Sequence, residues 1–232
     1  MPQVEKSKTF SRSAFIFDLD GTLFDSATQI SDAVNSTRTI LGYLPLTLFE
    51  ARKLIGLPAE ALFNDLKLES SALERAVSAF RTSLSKIVRQ GNPIYPGALH
   101  LLSHLRARGA FIGVATSKPQ ELAELVISHS ELRGCFDFVQ GTGPLRPKPN
   151  PDTIVACLEH ANLTHGYMIG DRVEDILAGN RAGVMTIGVS QSTHSTEQLL
   201  EAGAQHVFKT LEDLYLGIDK LPEGSVWTRE VL

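Results

Sequence analysis

The first apolar run in the chain, Ala14-Phe15-Ile16-Phe17, is short, rich in strand-forming side chains and closed by polar residues, so it predicts a buried strand. From Ser26 the period changes. Ile30, Ala33, Val34, Thr37 and Leu41 recur at helical spacing, Ser26-Ala27-Thr28-Gln29 has the form of a capping box, and Gly42 stands where such a helix would end. Shorter helical patterns run over about Leu46 to Ile55 and Pro58 to Leu66, divided by Gly56. A longer one opens at Ser71-Ala72-Leu73-Glu74, again a capping box, and carries Leu73, Val77, Phe80, Leu84, Ile87 and Val88 on one face. No strand pattern interrupts Ser26 to Gln90, so this segment predicts a small helical block inserted into something else.

Gly91-Asn92-Pro93-Ile94-Tyr95-Pro96-Gly97 is dense in turn formers and predicts a hinge. Strands and helices alternate after it. A helix bearing Leu99, Leu102 and Leu105 leads to Gly109, and Ala110 to Ala115 is a buried strand ending at Thr116-Ser117-Lys118, with Pro119 starting the next helix. Further strands are expected at Phe136 to Gln140, Tyr167 to Ile169, Val184 to Val189 and His206 to Phe208. Between and after them come a helix capped by Asn150 with Pro151 first, then helices at Val173 to Ala182, Thr196 to Ala202 and Leu211 to Leu216. Such alternation implies βαβ units, a parallel sheet and right-handed crossovers, that is, an α/β fold with a doubly wound core. The expected divisions are a core over 13–25 and 91–218, a helical block over 26–90, and tails at 1–12 and 219–232. The only Trp, Trp227, falls in the second tail and is expected to pack back on the core.

Composition narrows the class. The chain has 232 residues, 43% of them hydrophobic, enough for one large core or for a main domain with a smaller companion. Lys and Arg number 22 against 26 Asp and Glu, a formal net charge of −4 with no basic stripe, which argues against nucleic acid as a partner. Cys135 and Cys157 lack metal-ligand spacing and suit small core residues in a reducing compartment. Residues 1–12 lack the apolar stretch of a secretory signal and no later run approaches the roughly 20 residues of a membrane span, so a cytoplasmic location without membrane contact is expected.

The polar residues that matter fall at strand ends. These are Asp18 with Asp20, on a turn that Gly21 lets bend; Thr116 with Ser117; Lys148 in Arg146-Pro147-Lys148-Pro149-Asn150-Pro151; and Asp171 with Asp175. In a parallel sheet these ends face one crevice, where ligands of open α/β sheets bind. Carboxylates gathered there repel one another and take up protons unless a cation offsets them, and their hard oxygens suit Mg²⁺ together with an anionic substrate. Thr116 and Lys148 are suitable donors to phosphoryl oxygens, and an aspartate nucleophile with a second aspartate two residues on makes an aspartyl-phosphate route natural. Singly each residue has an ordinary explanation: an Asp after a strand is usually a turn residue, Thr116 a helix cap, Lys148 a solvated loop lysine. It is the ordered set at four strand ends that departs from chance. The seven histidines are scattered without ligand spacing.

Over nearly all of Ala14 to Leu216 the chain resembles the haloacid dehalogenase-like hydrolase superfamily. Asp18, Asp20, Gly21 and Thr22 meet its Asp-x-Asp-Gly-Thr motif, Thr116 its strand-ending Thr or Ser, Lys148 its Lys, and Gly170, Asp171 and Asp175 its Gly-Asp-x-x-x-Asp pattern. The resemblance implies a Rossmann-like core sheet and a mobile α-helical cap inserted after the first motif. It also implies Asp18 as nucleophile, Asp20 as general acid and base, and Thr116, Ser117 and Lys148 as phosphoryl-binding groups. Mg²⁺ would be held by Asp18, the backbone carbonyl of Asp20, and Asp171, with Asp175 in support. Tyr95-Pro96-Gly97, Thr116-Ser117-Lys118-Pro119 and Lys148-Pro149-Asn150-Pro151 look most like the phosphoglycolate phosphatase group. The expected function is therefore a Mg²⁺-dependent phosphatase of a small phosphorylated metabolite. Arg52, in the basic pair with Lys53, is a candidate to reach the pocket and grip a substrate carboxylate. A sugar phosphomutase is the alternative, disfavoured because Ser26 to Ile40 holds no His; a non-catalytic phosphate-binding regulatory protein is a further one. Oligomeric state is left open.

Overall fold

The computed structural model describes Phe10 and residues 13–221. Strands β1 (Ala14–Phe17), β2 (Phe111–Pro119), β3 (Phe138–Thr142), β4 (Gly166–Gly170), β5 (Met185–Val189) and β6 (His206–Phe208) form one sheet in the order β3-β2-β1-β4-β5-β6. Every pairing is parallel. The chain winds outward from β1 through β2 to β3, then crosses back to β4 on the other side of β1. The reversal of strand order, and with it the ligand-binding crevice of such sheets, therefore lies at the carboxyl ends of β1 and its two neighbours.

All four residues of β1 are buried, which is why its sequence is a continuous apolar run and not an alternating one. Phe15 and Phe17 belong to the larger apolar cluster on one face of the sheet. Ala14 and Ile16 join Ile154, Leu158 and Met168 on the other. The first cluster also takes in α4 (Ala98–Ala107), α5 (Gln120–Ser128) and α9 (Leu211–Gly217), and the second α6 (Asp152–Ala161) and α7 (Val173–Arg181). The short α8 (Thr196–Glu201) packs Leu199 against Ile176 and Ala204.

Between β1 and α4 the chain forms α1 (Ala27–Ile40), α2 (Leu48–Arg52), a 3₁₀ segment (Ala61–Leu66) and α3 (Ser70–Val88). Val34, Phe63, Phe80 and Leu84 from these helices are continuous with the cluster that covers the sheet. Apolar packing therefore runs unbroken from the sheet into the helical block.

Several local expectations are corrected. Ser26 precedes α1 but its hydroxyl makes no capping bond, and the Gln29 side-chain amide donates to the carbonyl of Gly91 at 2.7 Å, tying α1 to the segment after α3. The helix expected from Ser71 starts at Ser70 after Glu69, without a capping box; boxes do form at Thr47 with Glu50 and at Ser195 with Gln198, among others. Leu46 to Ile55 yields only the short α2, and Pro58 to Leu66 tightens into the 3₁₀ segment. In α4 the buried stripe is Ala98, Leu101, Leu102 and Leu105, while Leu99 is exposed. Pro119 closes β2 and caps α5 from outside, and β3 lies two residues later than its apolar run predicts. Asn150 does not cap α6: its amide donates to the Pro147 carbonyl at 3.0 Å, holding the lysine-bearing loop closed. Order extends past 218, with Ile218 and Leu221 buried and Asp219 accepting from Arg108 at 3.0 Å. Trp227 lies outside the described residues. Among those residues, no helix is long and apolar enough to cross a membrane.

Candidate active site

Strand register explains why residues remote in sequence meet. Phe17 is level with Val114 of β2 and with Ile169 of β4, so the segments that follow, Asp18, Ala115-Thr116 and Gly170-Asp171, emerge side by side at one edge of the sheet. The backbone amide of Asp18 donates to the Ile169 carbonyl at 2.9 Å, carrying the pairing one step beyond the strand. Gly21 then turns the chain with φ +87°, and a side chain there would overlap the Asp171 carboxylate.

Lys148 occupies the centre. Its ammonium lies 2.7 Å from Asp18 Oδ1 and 2.5 Å from Asp175 Oδ1, and donates to the Ala115 carbonyl at 2.9 Å. Three protons thus meet three acceptors, which is the full capacity of an ammonium. Burial opposes the charge on Lys148, but the Asp175 and Asp18 carboxylates outweigh it and hold the lysine above its ordinary range. Asp20 pairs with Lys118 at 2.9 Å. Asp171 is fully buried, and among the described residues its donors are neutral, Thr22 Oγ1 at 2.8 Å and the Thr193 amide at 3.3 Å. Asp175 Oδ2 accepts from the Arg172 amide at 3.0 Å, which also caps the start of α7.

Asp18, Asp171 and Asp175 each bring a carboxylate oxygen within 4.8 Å of the others. Burial pushes Asp18 up to about 6, with Lys148 pulling against it and Asp175 and Asp20 adding to the rise. Burial and the Asp175 and Asp18 charges push Asp171 up to about 7, against the hydrogen bonds from Thr22 and Thr193. One lysine does not neutralise this cluster. Three buried carboxylates with hard oxygen donors, of which burial raises Asp18 and Asp171, fit a divalent cation such as Mg²⁺ by charge and by ligand type.

Around the cluster opens a cleft of about 590 Å³. Its floor includes Asp18, Asp20, Thr116, Ser117, Lys148 and Asp175, and its far wall comes from the helical block through Leu54, Leu57 and Phe80. Thr116 is buried and its hydroxyl accepts from the Lys118 amide at 3.2 Å. Every residue expected at the site is therefore brought to this edge except Arg52, which is exposed and outside the lining. Helix α2 buries Ala51, and the next position along a helix turns away from the buried one. Of the two carboxylates in the first motif only Asp18 joins the acidic cluster; the Asp20 side chain is held by Lys118, and Asp175 takes the third place.

Lys118, Thr22 and Arg172 take up contacts at the site that their motif positions do not assign to them. The signal for Lys118 was present: Thr116 and Lys118 are two apart in an extended segment, as are Asp18 and Asp20, and period two brings each pair to the same side. Thr22 stands inside the first motif, and only its bond to Asp171, 149 positions away, gives it a role. For Arg172 no sequence signal existed, since its guanidinium finds the Ile55 carbonyl, 117 positions away, at 2.8 Å.

A family model described as haloacid dehalogenase-like hydrolase matches residues 15–189. A phosphoglycolate phosphatase of Rhodobacter capsulatus is 31% identical over 93% of this chain and 99% of its own. The probable phosphatase IndB of Dickeya dadantii is 31% identical over 86% of this chain and 90% of its own. Among solved structures, a haloacid dehalogenase-like family hydrolase from Streptococcus pneumoniae superposes with a TM-score of 0.81 at 24% identity, over 90% of this chain and 99% of that one, a likeness of fold.

Proposed function

The chain belongs to the haloacid dehalogenase-like hydrolase family, as a phosphatase, and we propose that it hydrolyses a small phosphorylated metabolite by a Mg²⁺-dependent route through an aspartyl-phosphate on Asp18. The observation that carries this reading is the buried Asp18 carboxylate at the floor of the cleft, 2.7 Å from the Lys148 ammonium and beside Asp171 and Asp175.

In this mechanism a carboxylate oxygen of Asp18 attacks phosphorus while the ester P–O bond breaks, and Asp20 gives a proton to the departing oxygen so that the product leaves as a neutral alcohol. A water then attacks the same phosphorus. Asp20 takes a proton from it, the bond to Asp18 breaks, and inorganic phosphate leaves with the enzyme restored. As Asp18 turns from Lys148 to phosphorus it frees one ammonium proton, and Lys148 and Thr116, with Ser117 beside them, hold phosphoryl oxygens whose charge grows in the transition state. Lys118 holds the Asp20 carboxylate at 2.9 Å and so keeps the proton carrier over the reacting oxygen. Mg²⁺ held by Asp18, Asp171 and the Asp20 backbone carbonyl, with Asp175 in support, would supply positive charge against the carboxylates and the phosphoryl group. The helical block over 26–90 serves as a cap that excludes water from the core over 13–25 and 91–218.

The test is phosphate release from a panel that includes phosphoglycolate and nucleoside monophosphates, with Mg²⁺ and with a chelator, followed by acid quench and peptide mass analysis. Release that stops on chelation, with a phosphoryl group recovered on the peptide containing Asp18, is the expected result. Turnover by Asp18→Asn at the unmodified rate would overturn it.

A further inference from the structure

The charge and surface of the cleft bear on what the phosphoryl group is attached to. Four cations line it, and each is already faced by a carboxylate of the chain: Lys148 by Asp18 and Asp175, Lys118 by Asp20 at 2.9 Å, Arg172 by Glu174 at 3.1 Å, and Arg81 by Glu60 at 3.5 Å. Arg52, which could have brought a further cation, lies outside. A substrate carboxylate beyond the phosphoryl group would therefore compete with the chain's own carboxylates for these cations while losing its hydration.

Much of the remaining lining is apolar and comes from three separate segments of the chain. Leu54 and Leu57 project from the helical block, Leu122 from α5, and Leu145 from the segment after β3, all half-buried and all at the rim of one cavity. The volume, about 590 Å³, falls in the roughly 300–1,000 Å³ range of pockets that take a drug-sized ligand, far above what a two-carbon phospho acid fills. Surface leucines scattered singly need no explanation, but leucines from three separate segments lining one cavity beside a phosphoryl site give that cavity an apolar side.

We propose that the natural substrate is the phosphate monoester of an uncharged, largely apolar alcohol, whose body lies against Leu54, Leu57, Leu122 and Leu145. This rests on the phosphatase reading above and deepens it: the floor of the cleft takes the phosphoryl group, and the leucines select the leaving group by burial.

Ethyl phosphate, n-hexyl phosphate and phosphoglycolate separate these contributions, because ethyl and hexyl esters share leaving-group chemistry and differ only in apolar length. With Mg²⁺ present, kcat/KM for hexyl phosphate is expected to exceed that for ethyl phosphate and for phosphoglycolate by at least about tenfold, since each buried methylene is worth roughly three- to fourfold. Leu145→Lys is expected to lower the hexyl value at least about fivefold and to raise the phosphoglycolate value, while Leu145→Met keeps the wild-type order. Equal rates for ethyl and hexyl esters, or a preference for phosphoglycolate, would overturn the apolar assignment and leave the phosphatase standing. Absence of phosphate release from all three esters by folded, Mg²⁺-loaded protein would overturn the phosphatase reading, and this proposal with it.

Discussion

Arg172, the residue after Asp171, donates from its guanidinium to the backbone carbonyl of Ile55 across 2.8 Å. One end of the acidic loop thus holds the helical block by its main chain. Gly56 makes the approach possible: it sits at φ +74°, and a Cβ there would run into the Arg172 guanidinium. The same arginine is held from behind by Glu174 at 3.1 Å, while its own amide donates to Asp175 at 3.0 Å. The placement of the helical block and the carboxylate geometry are consequently joined through one residue.

Arg172→Ala removes that junction. A hydrogen bond from a charged group is worth about 1.5–3 kcal/mol, so KM is expected to rise about ten- to a hundredfold, with kcat reduced less because Asp171 and Asp175 keep their other partners. Gly56→Ala is expected to act in the same direction through the displaced guanidinium. Steady-state kinetics of both variants, beside thermal unfolding to show that each folds, are the check. Unchanged KM in folded Arg172→Ala would remove the arginine from any role in cap position.

Most of the site was legible in the sequence because its residues stand at strand ends, where an apolar run gives way to a polar motif. Asp18 and Asp171 follow β1 and β4, Thr116 stands within β2 just past the residues paired to β1, and register brings the three level. What was not legible depends on distances that sequence spacing does not encode. Arg52 looks like a pocket residue beside Gly56, yet burial of Ala51 rotates it outward. Ser26-Ala27-Thr28-Gln29 has the form of a capping box, but the Gln29 side chain is turned to donate to the Gly91 carbonyl, a partner that exists only once α1 and the segment after α3 are packed together. Tertiary partners override local patterns of this kind.

Without a metal, stability should depend on pH with a defined sign. Asp18 and Asp171 rise from 3.8 to about 6 and about 7 in the folded state, so between about pH 4 and 7 the folded protein binds more protons than the unfolded chain. Their contribution is fully present below the unfolded value and is lost as the pH climbs through the folded values. The melting temperature in chelator should therefore fall from pH 5 to pH 8, apart from other titrations. Mg²⁺ should raise it more at pH 8 than at pH 5, because the ion competes with protons for the same oxygens. Melting curves at both pH values with and without Mg²⁺ read this directly; a metal-induced shift of equal size at both would argue against the acidic cluster as the binding site.

Asp18→Asn tests the nucleophile with little change of shape. An amide does not attack phosphorus, so turnover is expected to fall at least about 10³-fold, while the Lys148 ammonium keeps Asp175 and the Ala115 carbonyl as acceptors and the fold survives. Circular dichroism and a melting curve establish folding, and phosphate release gives the rate. A folded variant within tenfold of wild type would exclude Asp18 as the attacking group.

Asp20→Asn separates the two halves of the reaction. General acid catalysis is worth about 10²–10⁴-fold, and it matters most where the leaving group is a poor one. Hexyl phosphate should therefore lose about that factor in its first step. p-Nitrophenyl phosphate, whose phenolate leaves without protonation, should keep a fast first step and then stall, since Asp20 is also needed to take the proton from the attacking water. The expected record is a burst of about one p-nitrophenolate per enzyme followed by slow turnover, with a phosphoryl group trapped on the Asp18 peptide. Lys118→Met removes the 2.9 Å partner of Asp20 and should give a weaker version of the same pattern, because the carboxylate is left without the ion pair that orients it. Equal loss on both substrates with no burst would mean that Asp20 acts on binding and not on the proton.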